Sequence, residues 1–250
     1  MLAEAKPLLE KSGFPATAFV ASGFVGDRRE FWWEELEELL LGSRNGTPSR
    51  RRRTEWHGTL AAGRGLRDRG RRLYGRHFLR LRLLDPGTRR SALDELAASF
   101  PERRPPRPAR VPLSPEELRK LAEGGLITVG AHTITHPVLE SLPPSAQEHE
   151  IVGSKTELEE LLGRPVTGFS YPYGGPGEYG AFAVAAVQRA GFEFACANVP
   201  GLVRRGTDVL QIPRFVVLDW DGDTFARRLE HWLSGQELDR RNLFRRKVRT

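Results

Sequence analysis

The sequence predicts an α/β protein whose strands form a parallel sheet that is closed or nearly closed. Two observations support this fold class. A segment with helical hydrophobic spacing is followed by a short apolar run four times along the chain, and a glycine separates the two each time. Helices that alternate with short strands are typical of βα units in a parallel sheet. We expect the 250 residues to form a single domain over 1–250.

The first two units show how the ends of the helices are marked. The first helix stops at Gly13, before a predicted strand at 16–20. The second begins with Ser-Pro-Glu-Glu at 114–117, a capping box with proline at the first helical position. It ends at the glycine pair 124–125 and leads into a strand at 126–131. Glycine takes the left-handed conformation at little cost, so these glycines indicate helix ends.

The third and fourth units repeat the pattern. We expect helices at 146–162 and 179–190, each stopped by a glycine, and strands at 166–171 and 192–196. In parallel α/β folds the chemistry gathers where strands end and the following loops begin. The polar residues that follow the four strands are therefore expected on one rim of the sheet.

Three parts of the chain do not fit this pattern. The chain starts with a helix, so the strand expected before it is absent, which predicts either a start placed too late in the reading frame or an incomplete fold. Residues 42–110 are rich in arginine, glycine and proline, and we expect a basic helical insertion that ends in a proline-rich linker. Residues 235–250 are expected to form a basic C-terminal tail.

Arginine gives the chain a net charge of +7 and a pI of about 10.0. Its two clusters lie at 50–53 and at 240–247. Such clusters can contact nucleic acid or another anionic polymer, or they can form a solvated surface. We favour the solvated surface and expect no nucleic-acid partner, because no recognition motif or series of stacking aromatics accompanies the clusters.

No apolar stretch approaches the length of a membrane span, so we expect none. The N-terminus has neither a basic segment nor a continuous apolar segment of the kind found in secretory signals. The cellular location is therefore unknown. For the sequence as written, we expect the cytoplasm. The single cysteine, Cys196, excludes an internal disulfide, and we expect it to be a small buried residue on its strand.

Two histidines four residues apart follow the predicted strand at 126–131. His132 ends the strand, and a short polar turn brings His136 round to the same side. Two neutral imidazoles at this spacing can share one divalent metal such as zinc. The alternative is a pair of histidines that pack in the core with their polar atoms capped. Their expected place on the rim favours the metal site.

Several segments together resemble the NodB-homology polysaccharide deacetylases. The turn Phe-Ser-Tyr-Pro-Tyr-Gly at 169–174 is similar to a motif of that family, as is the helix between the two motifs. The resemblance covers most of the chain outside the predicted insertion. The remaining similar segments are Gly-Ala-His-Thr-Ile-Thr-His-Pro-Val-Leu at 130–139, the opening 11–20, Ile212-Pro213-Arg214 and Asp219-Trp220.

The resemblance implies a distorted (β/α) barrel that removes acetyl groups from N-acetylated or O-acetylated polysaccharide or glycan. It also implies a divalent metal, usually zinc, held by one aspartate and two histidines, which correspond here to His132 and His136. A backbone amide of the second motif binds the oxyanion in this family, and Tyr173 stands at that position. From their places at the ends of strands, we also consider Tyr171, Pro172 and Arg214 for contacts with substrate. Tyr171 can equally be a packing residue. Arg214 can contact substrate or orient a carboxylate, or it can equally form a structural ion pair.

The chain departs from the family at its first motif, which holds two consecutive aspartates, the general base and the third metal ligand. Nothing in this sequence replaces it. Two histidines fall short of the usual three protein ligands of catalytic zinc, so we expect weak metal binding and little or no deacetylation. The alternative class is a non-catalytic relative that binds carbohydrate without hydrolysing it.

The last predicted helix follows three aspartates. Asp219, Asp221 and Asp223 superficially resemble a calcium loop, but the position that needs glycine holds Thr224. We interpret Asp223 as the residue that caps the helix. On that helix, His231 is expected on the solvated face rather than at a catalytic position. The buried stripe is expected to comprise Phe225, Leu229, Trp232 and Leu233.

Overall fold

The computed structural model of the protein describes residues 2–41, 66–99, 107 and 110–234, without the side chains of residues 66–69. Within these ranges four parallel strands form one sheet, which confirms the predicted α/β class. The sheet is open among the described residues, and helices follow its strands. The strands are β1 (Ala16–Val20), β2 (Ile127–Ala131), β3 (Gly168–Ser170) and β4 (Phe194–Cys196). The helices are α1 (Ala5–Ser12), α2 (Trp32–Leu41), α3 (Leu66–Leu81), α4 (Pro86–Ala98), α5 (Pro115–Ala122), α6 (Pro144–Leu162), α7 (Ala181–Arg189) and α8 (Gly222–Leu233).

Each strand pairs with the next one in the sequence, in the order β1-β2-β3-β4. The register of β1 on β2 runs from Ala16 opposite Ile127 to Val20 opposite Ala131. Beyond β4, the extended segment 209–214 continues the pairing through main-chain hydrogen bonds of 2.8 and 2.9 Å. Because all these strands run the same way, the residues that follow β1, β2, β3 and β4 meet at one edge of the sheet.

The main core lies between the sheet and the helices α5, α6 and α7. Leucine, isoleucine and alanine supply the buried face of each helix, and β2 is buried along most of its length. Strands buried in this way are typical of parallel sheets covered by helices. The largest fully buried side chains of this core are Tyr171, Phe169, Leu118, Leu121, Ile127, Leu139, Ile151, Leu158, Val166 and Val187.

The ends of the helices agree with the prediction. Gly163 follows α6 with a φ of 64°, and its N–H donates to the carbonyl of Glu159. At the start of α5, Ser114 and Glu117 form both hydrogen bonds of the capping box. A side-chain cap is worth about 1 kcal/mol, and a left-handed position favours glycine over residues with a Cβ. Local sequence therefore decides where these helices begin and end.

A second, smaller core is formed by α2, α3 and α4, which we call the helical unit. Its buried side chains include Trp32, Leu36, Tyr74, Leu81 and Leu93. Helices α3 and α4 lie inside the predicted insertion at 42–110, whereas α2 precedes it. The predicted start of the insertion therefore falls between two parts of one packed unit.

The acidic face of α2 binds Arg107, which lies within the proline-rich segment, and Arg110, which follows it. Arg110 contacts Glu34 at 2.7 Å and Glu37 at 2.9 Å, while Arg107 contacts Glu38 at 2.9 Å and also pairs with Glu30. These side chains are partly buried, so solvent screens the pairs less than it screens exposed pairs. Part of the arginine excess is thus neutralised within the chain. The arginine clusters at 50–53 and 240–247 and the tail at 235–250 lie outside the described residues.

Helix α8 differs from its prediction in two respects. Asp221, not Asp223, is the N-cap, because its carboxylate accepts the hydrogen bond from the amide of Thr224 at 2.7 Å. Asp223 lies in the first turn instead. The predicted apolar stripe is largely exposed: Trp232 is buried, but Leu233 retains 63% of its accessible surface.

Three other expectations concern single residues and the membrane. Cys196 is a buried free cysteine, as predicted, and its burial raises the pKa of its thiol. His231 is exposed on α8, also as predicted. No helix within the described ranges combines the length and the apolar composition that crossing a bilayer requires.

The close approach of β1, β2 and β3 leads to a prediction about Gly130. A Cβ at this position would lie 2.6 Å from the ring of Phe19 and 3.0 Å from the carbonyl oxygen of Gly168. We expect Gly130→Ala to lower the free energy of unfolding by about 1–3 kcal/mol, the usual cost of overpacking. Urea unfolding monitored by tryptophan fluorescence measures it.

The matched control is Gly222→Ala, because a Cβ at Gly222 meets open space at the start of α8. Here we expect a change within about 1 kcal/mol, towards higher stability. Equal effects of the two substitutions would contradict the close packing of the three strands.

Candidate active site

The two predicted metal ligands meet at the carboxyl edge of the sheet. His132 follows β2, and its amide donates to the carbonyl of Val20 at 3.0 Å. The ring centroids of His132 and His136 are 4.7 Å apart, and the rings lie edge to face. The turn between them is tight, with positive φ values at Thr133 and His136. The spacing of four residues thus brings the two imidazoles together, as the sequence predicts.

The ring of His132 is held in one orientation. Its Nδ1 lies 2.5 Å from the carbonyl oxygen of Ser170, at the end of β3. A carbonyl can only accept, so Nδ1 carries the proton and the lone pair is on Nε2. Burial lowers the pKa of His132 to about 4, and the nearby charge of Arg214 acts in the same direction. His132 is therefore neutral near pH 7, which is the form that binds metals.

A buried glutamate on α6 holds the turn between the histidines. The carboxylate of Glu150 accepts hydrogen bonds from the amides of Ile134 at 2.8 Å and Thr135 at 2.9 Å, and from the hydroxyl of Thr135. Only 7% of Glu150 is exposed. Sequence analysis missed this residue. The available signal was a glutamate on the face of α6 that otherwise faces the core.

The helical unit contributes an aromatic ring to the site. Trp33 of α2 lies 4.9 Å from His136, and Tyr173 lies 4.9 Å from the same imidazole. Phe31 stacks on Trp33 at 4.7 Å and supports it. Sequence analysis did not single out Trp33, because nothing in the local pattern shows that α2 packs against the turn after β2.

The predicted oxyanion contact, Tyr173, sits in a strained turn. Its φ is 59°, and a Cβ at the following Gly174 would lie 2.8 Å from the amide of Asn198. Among the described residues, no acceptor is within hydrogen-bond distance of the Tyr173 amide, so this N–H is able to donate to a ligand. Burial raises the pKa of the Tyr173 hydroxyl, and the charges of Arg89 and Arg82 oppose this effect.

The side chain of Tyr171 packs in the core. It is 1% exposed, its hydroxyl donates to the carbonyl of Leu210 at 2.9 Å, and its ring stacks on Tyr179 at 3.9 Å. Packing is thus the role that the structure shows for Tyr171, and Pro172 is buried beside it. A contact between substrate and either side chain stays a prediction.

Arg214 supports the residue that orients His132. Its Nε donates to the carbonyl of Ala197 at 2.9 Å, and its Nη2 donates to the hydroxyl of Ser170 at 3.0 Å. No carboxylate of the described chain lies within ion-pair distance of Arg214. Burial lowers the pKa of its guanidinium, which remains charged at neutral pH. The predicted structural ion pair is absent from these residues, and contact with a substrate stays a prediction.

Residues 92–195 match the family model described as polysaccharide deacetylase. The matched segment contains both histidines, Glu150 and Tyr173. The matched segment, about four tenths of the chain, is similar to polysaccharide deacetylases. One relative is YxkH of Bacillus subtilis (strain 168), a protein assigned to the polysaccharide deacetylases. It is 28% identical over 119 residues, which are 47% of this chain and 41% of YxkH. The chain therefore spans about four tenths of the length of this family member.

Two solved structures of deacetylases are similar to the chain. The deacetylase domain of BpsB from Bordetella bronchiseptica is 14% identical, with a TM-score of 0.49, over 86% of this chain and 66% of that structure. The deacetylase PplD of Streptococcus pyogenes, solved in complex with acetate, is 20% identical, with a TM-score of 0.43, over 48% of this chain and 52% of its own. At these identities the likeness concerns the fold alone.

Deacetylases of this family generally use a divalent metal, so the donor set of the chain has to be compared with that requirement. His132 and His136 fit two positions, because both imidazoles lie on the rim and His132 is neutral with its Nε2 lone pair available. Within the described ranges, no group of three or more His, Cys, Asp or Glu side chains is placed to hold a metal. A third protein ligand, usual for catalytic zinc, would have to come from elsewhere.

Proposed function

We propose that the protein is a metal-dependent hydrolase that removes acetyl groups from an N- or O-acetylated polysaccharide or glycan. The observation that carries this proposal is the arrangement at the rim of the sheet. Two imidazoles, of which His132 is neutral, lie beside a turn whose Tyr173 amide makes no hydrogen bond within the described residues. Metal ligands next to an unused amide donor suit the hydrolysis of an acyl group, whose transition state carries negative charge on oxygen.

We assign the following roles to residues of the chain. His132 and His136 would hold the metal, with the Ser170 carbonyl fixing the ring of His132. The Tyr173 amide would donate to the carbonyl oxygen of the acetyl group as charge develops on it. A divalent metal, most suitably zinc, supplies Lewis-acid polarisation of the acetyl carbonyl and lowers the pKa of water in the site.

A cleft of about 560 Å³ begins next to this turn and suits a sugar chain. Its polar side chains are neutral: Gln188 offers an amide, and Tyr179 and Gln211 bond to each other. Amides can both donate to and accept from sugar hydroxyls. The other lining residues are Gly175, Pro176, Gly180, Ala181, Val184, Ala185 and Val199.

The two-donor site supports a second candidate function. Because the described residues bring two imidazoles and no third metal donor to the rim, the protein is expected to bind metal weakly and to release acetate slowly. A non-catalytic relative that keeps the cleft and binds glycan is the alternative that this observation favours. Metal content separates the two candidates, because stoichiometric zinc is required only for hydrolysis.

Acetate release from N-acetylated and O-acetylated oligosaccharides, with and without added zinc, tests the proposal. We expect slow release that a chelator reduces by more than about 100-fold, because the metal's contribution amounts to several kcal/mol of barrier. Zinc added in excess of the chelator should restore it. Release that the chelator does not change would refute metal dependence. Oligosaccharide binding without any release would favour the non-catalytic candidate.

A further inference from the structure

The contact between the helical unit and the rim contains buried polar atoms that have no hydrogen-bond partner among the described residues. They are the hydroxyl of Tyr173, the Nε atoms of Arg82 and Arg89, and Nε1 of Trp32. Buried polar groups without partners are rare in folded proteins, and each one asks for an explanation. Here four occur in side chains that belong to one contiguous set of contacts. We call them the donor cluster.

Contacts between rings and guanidinium groups connect the donor cluster to the site. The guanidinium of Arg82 lies 5.4 Å from the ring centre of Tyr173, and that ring lies 4.9 Å from His136. On the other side, the guanidinium of Arg89 lies 5.3 Å from the ring of Trp32. Phe78 joins the two halves, at 6.3 Å from Tyr173 and 5.2 Å from Trp32. The donor cluster is therefore one aromatic ring away from a predicted metal ligand.

Arg89 is the most deeply buried arginine of the donor cluster and makes few polar contacts. It is 3% exposed, and its Nη2 donates to the carbonyl of Leu84 at 3.0 Å. No carboxylate of the described chain lies within ion-pair distance of it. The carboxylates of Glu150 and Asp85 attract its charge from beyond that distance, and a buried charge without a direct partner is unfavourable unless a ligand or another group compensates it. Arg82 is better satisfied, because Glu178 holds its Nη1 at 2.7 Å, and its side chain is 23% exposed.

The chemistry of these atoms selects the kind of ligand. Arginine Nε and tryptophan Nε1 can only donate, whereas the tyrosine hydroxyl can donate or accept, so donors outnumber acceptors in the cluster. A neutral sugar hydroxyl would bring a donor of its own to a place that already has several. A carboxylate or phosphate brings acceptors only, and the planar guanidinium matches both in geometry and charge.

We propose that the donor cluster is a subsite for an anionic group, a carboxylate or a phosphate, on the acetylated glycan, so that the substrate is an acidic glycan. This inference rests on the proposed function, because it places the anionic group beside the acetyl-binding rim. The helical unit thereby acquires a role in selecting the substrate, through residues that lie on α2, α3 and α4 rather than in the sheet.

Isothermal titration of the intact chain with three N-acetylated oligosaccharides of equal length tests the proposal. One is neutral, one carries uronate carboxylates and one carries phosphate. We expect at least one acidic oligosaccharide to bind about tenfold or more tightly than the neutral one, as a charge-assisted hydrogen bond allows. The two acidic arms identify which anion the subsite takes. Equal affinity for all three, or no binding at all, overturns the proposal.

Two substitutions locate the effect. Arg89→Met and Tyr173→Phe should each lower the ratio of acidic to neutral affinity by about tenfold. Tyr173→Phe removes a single oxygen and keeps the ring and the backbone, so it provides the test if Arg89→Met does not fold. The matched control is Arg90→Met, because Arg90 pairs with Glu35 and Asp94 outside the cluster, and it should leave the ratio unchanged. A ratio that is unaltered in Tyr173→Phe overturns the assignment to this cluster.

Failure of the anionic subsite can be distinguished from failure of the proposed hydrolase function. Acidic preference without acetate release would refute hydrolysis and keep the subsite in a glycan-binding protein. Acetate release without acidic preference would refute the subsite and keep the hydrolase.

Discussion

Replacing His132 by alanine is expected to lower the affinity of the protein for zinc by at least about 100-fold. Loss of a group that merely orients a ligand already costs about 10–100-fold, and this substitution removes one of the two imidazoles that the described residues bring to the rim. The structural reason is specific: the Ser170 carbonyl fixes the His132 ring in the neutral tautomer whose Nε2 is available. Competition with a chromophoric zinc chelator measures the affinity. Any acetate release should disappear in the same variant.

His231→Ala is the matched control for this prediction. His231 lies on the exposed side of α8, and the hydroxyl of Ser234 donates to its backbone carbonyl at 2.8 Å. Its removal should leave zinc affinity unchanged. Should His132→Ala and His231→Ala bind zinc equally well, the paired imidazoles are not the metal site and the proposed roles of both are wrong.

Replacing Glu150 by alanine is expected to lower the free energy of unfolding by about 2–4 kcal/mol. The substitution removes the acceptor for two backbone amides, and each buried donor left unpaired costs about 1–3 kcal/mol. Because those amides belong to Ile134 and Thr135, between the two histidines, zinc affinity should fall as well. Chemical denaturation gives the stability, and the same chelator competition gives the affinity.

Glu148→Ala provides the comparison on the same helix. Glu148 pairs with Arg189 at 3.2 Å, and both side chains are about half exposed, so we expect a change below about 1 kcal/mol. Zinc affinity should stay the same. A Glu150→Ala variant as stable as Glu148→Ala would show that the turn holds its conformation without the glutamate.

Much of the fold could be predicted because it depends on neighbours in sequence. The strand at Ala16–Val20 matches its prediction residue for residue, and α6 begins two residues before the predicted start at 146. Gly163 ends α6 in the left-handed conformation that glycine allows, and Ser114 caps α5. These are contacts across three to five residues, so the chain itself contains everything needed to infer them.

Helix α8 shows two features that local sequence patterns did not predict correctly. A capping aspartate was expected, but Asp221 rather than Asp223 does it, because two carboxylates two residues apart compete for one helix end. Its apolar stripe at Phe225, Leu229 and Leu233 has the correct spacing for a buried face and is mostly exposed. Hydrophobic periodicity shows which side of a helix could be buried, whereas a partner surface decides whether it is.

The sequence by itself determined the parallel α/β class, helix ends such as those at Ser114 and Gly163, and the pair His132 and His136, because each depends on periodicity, capping or a spacing of four residues. Only the tertiary structure decided which groups surround that pair. Glu150 is 14 residues from His136 along the chain, Trp33 is about a hundred away, and Arg89 is on a helix that the sheet pattern does not include. Their roles follow from α6 and the helical unit packing against the turn after β2. Contacts between residues so far apart depend on how whole elements pack, which no local pattern encodes.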